Sequence, residues 1–402
     1  KRTRNIMTTV EQNQPKQEKT VLITGVSGYI GSWCLHKALE EGYRCFGTVR
    51  DPDAKKCTFL RNAIAGTASK NDDNKDTILL SSKAKTHLTL LKADLLDGEE
   101  FWDTEIFAKA KPDFVLHTAS PYFGREPEDP QEYIRPAVEG TRSVLKAAIK
   151  HDVQRVVVTS SVASIYYPAR EKTYTPDDWT IVDAPKISAY AKSKTLAERD
   201  AWNIIQEQQA TMTSKTELST IHPMFTIGPT LYTKEDEAAD SFESASICIK
   251  IMKGKFPMVP HIKMGISDVR DVASAHILAL STPEASGKRF IMSPKTLWFE
   301  EITQIFSECK PELCIHSKVA PSFLIHAMAL FSHNVARASK SLNIDYNVDS
   351  SDTEKILGLK FTPAATSVTD MMGNMVALGV APDSATSDKG DDSNNSGGCL
   401  IS

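Results

Sequence analysis

Hydrophobic residues follow two alternating patterns along the chain from Thr20 to about Ser293. Short runs rich in β-branched residues alternate with longer stretches in which apolar residues have helical spacing. Strands joined by helices run parallel, and strands covered on both faces are apolar throughout. The pattern therefore predicts an α/β fold with a doubly wound parallel sheet. The predicted strands are Val21–Thr24, Cys45–Val49, Leu88–Lys92, Phe114–His117, Val156–Thr159 and Ser219–His222.

The alternation stops beyond Ser293, where helical spacing dominates, as at Phe299–Glu308 and Phe323–Ala338. This predicts a sheet domain at 20–293 that contributes part of the ligand pocket, and a smaller, mainly helical cap at 294–380. Polar composition predicts that residues 1–19 form a flexible segment and residues 381–402 a disordered tail. The lysine-rich residues 66–85 predict a surface insertion between the second and third strands.

Charge and cysteine content narrow the class of ligand. The 402 residues carry a net charge of −4, without the basic excess typical of nucleic-acid binding. Seven cysteines without Cys-x-x-Cys spacing predict reduced thiols, a cytoplasmic location and no bound metal. The most apolar segment, 321–338, is interrupted by polar residues and is shorter than the roughly 20 apolar residues of a membrane span. The predicted partner is therefore a small molecule, with no nucleic acid and no transmembrane segment.

A glycine-rich loop follows the first strand and precedes the helical stretch Ser32–Glu41. Gly25 permits a tight turn, Gly28 lets a backbone approach a pyrophosphate, and Gly31 allows close packing of helix on strand. The N-terminus of the helix favours the negative charge of a pyrophosphate. The loop predicts a Rossmann-type dinucleotide site, and the flanking strand and helix disfavour the alternative of a plain glycine-rich turn. The predicted contacts are Gly25, Ser27, Gly28, Tyr29, Ile30 and Gly31.

The end of the second strand decides between two nucleotides. It reads Thr48-Val49-Arg50-Asp51-Pro52, and Lys56 is close behind. Sites that prefer NAD carry a carboxylate here for the ribose hydroxyls, whereas Arg50 can make a forked contact with a 2′-phosphate. The predicted cofactor is therefore NADP(H). Asp51 leaves NAD open, and a solvated Arg50 paired with Asp51 is the alternative.

Three residues predict proton-transfer chemistry. Tyr190 and Lys194 lie four residues apart on one face of a predicted helix. An adjacent ammonium lowers the pKa of a phenol, which suits Tyr190 to protonating an alkoxide. Ser161 follows a predicted strand, at the edge where α/β sheets bind ligands, and can polarise a carbonyl oxygen. Ser161, Tyr190 and Lys194 are the predicted catalytic residues, although such Tyr–Lys pairs also occur by chance and Ser160 and Ser161 are alternatively caps of the next turn.

Together these motifs resemble the extended short-chain dehydrogenase/reductase family. Within it, the chain is similar to the branch of dihydroflavonol, cinnamoyl-CoA and aldehyde (methylglyoxal) reductases. The resemblance spans about Thr20 to Pro382, and it implies a Rossmann fold with a substrate-binding cap and an NADP-dependent oxidoreductase that acts on CH–OH groups. The matching stretches are 21–33, 48–52, 92–95, 117–121, 158–161 and 190–198.

The resemblance also implies cofactor contacts beyond the glycine loop. They extend from the adenine to the nicotinamide along the edge of the sheet. The implied residues are Asp94 and Leu95 at the adenine, Thr118, Ala119 and Ser120 along a ribose, Lys56 at the 2′-phosphate, Pro223 at the nicotinamide and Lys194 at its ribose, with Thr159 and Tyr190 nearby.

Two departures from the family bear on the substrate. The tryptophan- and cysteine-containing signature of plant cinnamoyl-CoA reductases is replaced by Ile187-Ser188-Ala189 before Tyr190. Where plant dihydroflavonol reductases place an amide side chain, five positions after the catalytic serine, this chain has Tyr166. Neither plant substrate is implied. The predicted substrate pocket, each member of which is alternatively ordinary core, is Tyr122, Phe123, Tyr166, Met224, Phe225 and Ile227.

The predicted function is NADPH-dependent reduction of an aldehyde or ketone to an alcohol by hydride transfer, with Tyr190 as proton donor. One alternative is an NAD(P)-dependent hydroxysteroid or sugar-nucleotide dehydrogenase or epimerase, and another is a non-catalytic NADP(H)-binding regulator. The final residues, Cys399-Leu400-Ile401-Ser402, match a prenylation signal. A lipid on Cys399 predicts weak, reversible membrane association.

Overall fold

The computed structural model describes residues 18–67, 78–121, 126–211, 214–236, 242–331 and 333–384. The strands in these ranges are β1 (Thr20–Thr24), β2 (Arg44–Val49), β3 (Leu88–Lys92), β4 (Phe114–His117), β5 (Arg155–Thr159), β6 (Thr173–Tyr174), β7 (Glu217–His222), β8 (Phe225–Ile227), β9 (Lys263–Asp268), β10 (Arg289–Ile291), β11 (Thr296–Trp298) and β12 (Asn347–Val348). The helices are α1 (Tyr29–Glu40), α2 (Thr58–Ala65), α3 (Ala84–His87), α4 (Glu99–Phe101), α5 (Ala108–Ala110), α6 (Gln131–Lys150), α7 (Ala189–Thr211), α8 (Glu243–Met252), α9 (Val269–Ser281), α10 (Phe299–Cys309), α11 (Ser322–Ala329), α12 (His333–Ala338), α13 (Ser351–Leu357) and α14 (Ala364–Ala377).

The central sheet of the described chain contains seven parallel strands in the order β3-β2-β1-β4-β5-β7-β10. The order reverses at β1, since β2 and β3 lie on one side of it and the later strands on the other. The crevice outside the carboxyl ends of β1 and β4 is the switch point where such sheets bind ligands. Thr24 at the end of β1 pairs with Thr48 and His117, so three strands end at this crevice.

Hydrophobic layers cover both faces of the sheet. Side chains alternate between the faces along a strand. Val21 and Ile23 pack against α1 and α9, whereas Leu22 packs with α6 and α7 on the opposite face. The predicted fold class is confirmed: this is a doubly wound, Rossmann-type parallel sheet.

A second core packs a three-stranded sheet of β8, β9 and β11 against α8, α10 and α14. It contains Ile227 and Ile266 as well as Ile302 and Met371 from the later part of the chain. This core therefore does not begin at residue 294. The sequence pattern predicts strands but not the sheet that each strand joins. A boundary at residue 294 therefore leaves out β8, β9 and α8, which come earlier in the chain and belong to the second core.

The predicted strands are present, and β1, β2, β5 and β7 begin one or two residues earlier than expected. The short strand β10 was not predicted, because three residues give almost no pattern. The single helix predicted at Phe323–Ala338 is wrong: the structure has α11 and α12, and the chain turns at Leu330 and Phe331. Most of the predicted tail and N-terminal segment, and residues 68–77 of the predicted insertion, lie outside the described residues.

Candidate active site

The glycine-rich loop between β1 and α1 lies at the switch point. Gly25 has a φ of +72°, and its amide donates to the carbonyl oxygen of Thr48 over 3.0 Å. A Cβ on Gly31 would lie 2.3 Å from the carbonyl oxygen of Gly25, so only glycine allows this approach of the helix to the turn. Gly28 is exposed at the N-terminus of α1. This tight turn with an open face is the geometry that a pyrophosphate requires.

The loop and α1 are supported by the segment after β8. The Tyr29 hydroxyl donates to the carbonyl oxygen of Gly228 over 2.6 Å, and Trp33 Nε1 donates to that of Pro229 over 2.8 Å. The Tyr29 ring stacks on Phe242, and burial raises the pKa of Tyr29 well above its ordinary value. The side chain of Tyr29 is thus engaged by Gly228 and Phe242, which leaves its backbone for the predicted cofactor contact.

The same segment connects the loop to the last helix. The Tyr232 hydroxyl donates to the carbonyl oxygen of Ser27 over 3.0 Å. Asn374 Oδ1 of α14 accepts hydrogen bonds from the amide and the hydroxyl of Thr230, over 2.8 and 3.0 Å. The glycine loop is therefore held by residues far from it in sequence, which the local motif did not indicate.

The predicted 2′-phosphate ligands lie at the end of β2. Arg50 is exposed and Lys56 half-buried, and among the described residues neither side chain forms an ion pair or a hydrogen bond. The Asp51 carboxylate instead accepts the amide of Asp53 over 3.0 Å. The alternative of an Arg50–Asp51 ion pair is therefore not what the structure shows. Within the described ranges, the Arg50 and Lys56 side chains are therefore two cations without a bonded counter-charge at the end of β2.

The end of β4 is fixed to β1 by hydrogen bonds through Thr24. Its hydroxyl lies 2.9 Å from Nδ1 of His117 and accepts the amide of Ala119 over 3.1 Å. Thr118 Oγ1 donates to the carbonyl oxygen of Thr24 over 2.5 Å. Burial, with the Lys194 ammonium nearby, lowers the pKa of His117 to about 3, so this imidazole is neutral. The bonds set the course of the stretch that continues through Ser120, predicted to follow the ribose.

The predicted adenine pair follows β3. Asp94 Oδ1 accepts the amide of Leu96 over 3.0 Å, and the Asp94 amide donates to Asp97 over 2.7 Å. Leu95 packs against Gly140 of α6, where an added Cβ would lie 2.7 Å from Leu95 Cδ2. The turn after β3 is thereby fixed at the edge of the same crevice.

Tyr190 and Lys194 occupy successive turns at the start of α7, as predicted. The Lys194 ammonium is buried and donates to the carbonyl oxygen of Thr159 at the end of β5 over 3.0 Å. Burial lowers the pKa of Lys194 to about 8, and Glu198 opposes that change. The Tyr190 ring is half-buried and lies edge-on to Tyr133, with 6.1 Å between ring centroids. Lys194 therefore ties the helix that carries the phenol to the end of β5.

Ser161 lies two residues after the end of β5 and begins the turn Val162–Ser164, which packs against α7. Its Oγ accepts the amide of Ala163 over 3.2 Å, so Ser161 does cap the following turn. The cap uses the oxygen only as an acceptor and leaves the hydroxyl hydrogen for another partner. Capping and polarising a carbonyl are thus compatible roles for this serine. The amide of Val162 in turn donates to the carbonyl oxygen of Pro223 over 3.2 Å, which joins the ends of β5 and β7.

Sequence reasoning missed a charged cluster behind this serine. The Glu198 carboxylate is almost fully buried and accepts a hydrogen bond from Trp202 Nε1 of α7 over 3.3 Å, and its other partners lie on β7, on β10 and around Ser161. They are Ser160, Ser164, Thr220, His222 and Arg289. The available signal was the position of Glu198, four residues after Lys194 on the same face of α7.

The predicted substrate residues divide into three groups. Tyr166 is half-buried and stacks on Tyr346 with 5.2 Å between ring centroids, and Met224 packs beside this pair. Ile227 is fully buried in the second core, and Phe225 packs against that core. Ile227 therefore has no surface to offer a pocket, because strand β8 leads into the cap. Tyr122 and Phe123 lie outside the described residues.

A small cavity of about 10 Å³ lies beside the buried side chain of Lys194 and has room for about one water molecule. The cavity is also lined by His117, Thr141, Ser160 and Glu198.

In the described part of the chain, no helix combines the length and apolarity needed to cross a membrane. No group of His, Cys, Asp and Glu in that part has the arrangement of a metal site.

Comparison with known proteins places this geometry among related enzymes. Cinnamoyl-CoA reductase 1 of Petunia hybrida is 34% identical over 305 residues, which cover 75% of this chain and 80% of the relative. Tetraketide alpha-pyrone reductase 1 of Arabidopsis thaliana is 30% identical over 366 residues, 89% of this chain and 96% of the relative. The solved structure of Gre2 from Candida albicans in complex with NADPH has a TM-score of 0.69 and 25% identity, and the match covers 90% of this chain and 99% of Gre2.

The family assignment follows from the match over the sheet domain. The sequence pattern of the NAD dependent epimerase/dehydratase family matches residues 21–292, more than half of the chain. This span contains the glycine loop, Ser161, Tyr190 and Lys194. The two curated relatives named above, at 34% and 30% identity, are reductases by name. The chain therefore belongs to the NAD dependent epimerase/dehydratase family, as an oxidoreductase of the extended short-chain dehydrogenase/reductase type.

Proposed function

We propose that the protein catalyses the NADPH-dependent reduction of an aldehyde or ketone, of small to medium size, to an alcohol. The observation that carries this proposal is the buried ammonium of Lys194, one helical turn after Tyr190 and bonded to the end of β5. An exposed lysine on a helix face would support only a chance pair. A desolvated one, fixed at the ligand-binding edge of the sheet, supports a catalytic role.

The residues at the end of β2 fit a cofactor with a 2′-phosphate. Arg50 and Lys56 have no protein counter-charge among the described residues, and a phosphate would supply one. The exposed Gly28 at the N-terminus of α1 fits a pyrophosphate. Gre2 of Candida albicans binds NADPH in its solved structure, and a relative from the same species is named a putative NADPH-dependent methylglyoxal reductase. These observations support NADP(H) over NAD(H) here.

Each triad residue has a defined task in the proposed reaction. NADPH, when bound, supplies the hydride. The Ser161 hydroxyl donates to the substrate carbonyl oxygen, while its own oxygen accepts the amide of Ala163. Tyr190 delivers the proton to the alkoxide oxygen. The Lys194 ammonium, protonated at neutral pH because its pKa is about 8, lowers the pKa of the phenol and makes it a better donor.

The substrate class follows from the neighbours of Ser161. Tyr166, five positions beyond the serine, is half-buried and rests on the buried ring of Tyr346, and together with Met224 it supplies apolar surface. This favours a carbonyl compound with an apolar substituent. The relatives are named for cinnamoyl-CoA, a tetraketide alpha-pyrone and methylglyoxal, so the family accommodates very different carbonyl groups.

Two alternative functions keep the same fold. A hydroxysteroid or sugar-nucleotide dehydrogenase or epimerase would use the same triad, and a non-catalytic NADP(H)-binding regulator would not need it. The presence of Ser161, Tyr190 and Lys194 together argues against the regulator. Cytoplasmic location and lipidation of Cys399 stay predictions, and Cys399 lies outside the described residues.

The test is NADPH oxidation by the purified protein with aldehydes, diketones, flavanonols and hydroxycinnamoyl thioesters, with NADH as the comparison. Turnover should favour NADPH and fall by about 10²-fold or more in Tyr190→Phe, because that variant lacks the proton donor. The NADPH affinity of the variant, measured by fluorescence titration, should change little. Tight NADPH binding without turnover of any carbonyl would contradict the reductase and favour the regulator.

A further inference from the structure

Glu198 lies one helical turn after Lys194 on the same face of α7, and only 1% of it is exposed. A buried carboxylate needs hydrogen bonds and an opposite charge to offset its lost hydration. The residues that provide them surround the turn carrying Ser161. The ion pair that stabilises the buried carboxylate therefore lies next to the proposed catalytic residues.

One carboxylate oxygen of Glu198 binds two serines, one before and one after Ser161 in the sequence. Ser160 Oγ and Ser164 Oγ each lie 2.6 Å from Glu198 Oε2. His222 Nδ1 lies 3.2 Å from the carbonyl oxygen of Ser161 itself, and His222 Nε2 lies 3.2 Å from Glu198 Oε1. The turn that presents the Ser161 hydroxyl is therefore bonded to Glu198 through its side chains and, by way of His222, through its backbone.

Arg289 neutralises the buried carboxylate. Its Nε donates to Glu198 Oε1 over 2.7 Å and its Nη2 to Glu198 Oε2 over 3.4 Å, while Nη1 donates to the carbonyl oxygens of Pro176 and Asp178. Its guanidinium stacks on the Trp179 ring at 3.8 Å from the ring centroid. Burial alone would raise the pKa of Glu198, but His222 and Arg289 hold it well below its ordinary value. The carboxylate is thus ionised, and its charge also acts on Lys194.

We propose that Glu198 is a positioning residue of the reaction, which fixes the turn that presents the Ser161 hydroxyl and supplies the negative charge that keeps Lys194 an ammonium. The proposal rests on the proposed reductase function. It assigns Glu198 no contact with substrate or cofactor. Its influence on the reaction passes through Ser161 and Lys194.

The charge has a predictable effect on the pH dependence. In the described part of the chain, the charged or titratable groups that face Glu198 or Lys194 from other elements are His222 on β7, Arg289 on β10 and His117 on β4. Burial already depresses the pKa of Lys194 to about 8, and Glu198 limits the depression. Removing the carboxylate charge should lower that pKa further, so the ammonium is lost at a lower pH. The alkaline limb of the kcat profile should then move to lower pH.

The experiment compares Glu198→Gln, Ser164→Ala and the surface control Glu207→Gln, which lies exposed on the same helix. Each variant is checked for folding by circular dichroism and thermal unfolding. For Glu198→Gln we expect kcat to fall about tenfold or more, with the KM for NADPH within about twofold of wild type. We also expect its alkaline limb to move down by about half a pH unit or more. Ser164→Ala should lower kcat by about threefold without moving the limb, since the charge is retained.

Two outcomes overturn the proposal. The first is wild-type kcat and pH profile in both Glu198→Gln and Ser164→Ala. The second is a loss of kcat that follows lost thermal stability while the pH profile stays unchanged, which would make Glu198 a structural residue only. If Glu198→Gln does not fold, Ser164→Ala provides the test. A lower kcat at unchanged thermal stability supports the proposal, and a wild-type kcat overturns it. If the first outcome is found while Tyr190→Phe loses turnover, the reductase function stays intact, whereas an inactive wild type would overturn both proposals.

Discussion

The charged groups on the two sides of the switch point differ in exposure and in pairing. On the side of β1 and β2, Gly28 and Arg50 are exposed, and the Arg50 guanidinium has no counter-charge among the described residues. On the side of β5, β7 and β10, the charges of Lys194, Glu198 and Arg289 are buried and bonded. On the first side, a bound ligand would supply the counter-charge for the exposed guanidinium. The second has its groups fixed before a ligand arrives, which is what electrostatic catalysis requires.

The largest expected effect comes from removing the buried ammonium. Lys194→Met keeps the length of the side chain but loses the charge that acts on Tyr190 and the bond to Thr159. We expect kcat to fall by about 10²- to 10⁴-fold in steady-state NADPH oxidation. Lys192→Met, two residues away and half-buried, is the matched control and should keep near wild-type kcat. An equal loss in both variants would mean that the helix, and not the ammonium, was disturbed.

On the open side, Arg50→Ala should change binding and not chemistry. Loss of a charge-assisted contact with the 2′-phosphate is expected to cost about 1.5–3 kcal/mol, or roughly 10- to 100-fold in the KM for NADPH. The KM for NADH should stay unchanged, because NADH has no such phosphate. Arg135→Ala, an exposed arginine of α6, provides the control. Equal losses for NADPH and NADH would rule out the assigned contact.

The smallest effect concerns the backbone of the open side and separates two glycines. Gly31→Ala would bring a Cβ to 2.3 Å from a carbonyl oxygen, which should cost about 1–3 kcal/mol of unfolding free energy. Gly28→Ala has a nearest contact of 3.2 Å and a φ of −87°, so the fold should tolerate it better. Its methyl group would instead hinder the pyrophosphate. Chemical denaturation and NADPH titration of both variants check this, and equal loss of stability would contradict it.

The sequence predicted best what depends on neighbours along the chain. The central strands follow from runs of apolar residues, the loop from the spacing of Gly25, Gly28 and Gly31, and the Tyr190–Lys194 pair from one helical turn. Each of these patterns lies within a single element or a single turn. The physical causes are therefore visible in a short window of sequence.

The sequence could not predict what depends on the packing of distant elements. Glu198 and Arg289 are 91 residues apart and meet because β10 joins the sheet beside β7. Ile227 looked like a pocket residue because it follows β7, but β8 leaves the main sheet and buries it in the second core. A hydrophobic pattern reports that a residue is buried, and not which surface buries it.

The hydrogen bonds that Thr230 donates to Asn374, and the one that Tyr232 donates to the glycine loop, have a consequence for synthesis of the protein. The loop leaves the ribosome well before α14, which carries Asn374. Contacts so distant in sequence form only when the intervening chain is complete. The nascent sheet domain therefore acquires its full support only after α14 has been synthesised, and a chain that stops before α14 would carry the whole loop motif without the two bonds between Thr230 and Asn374.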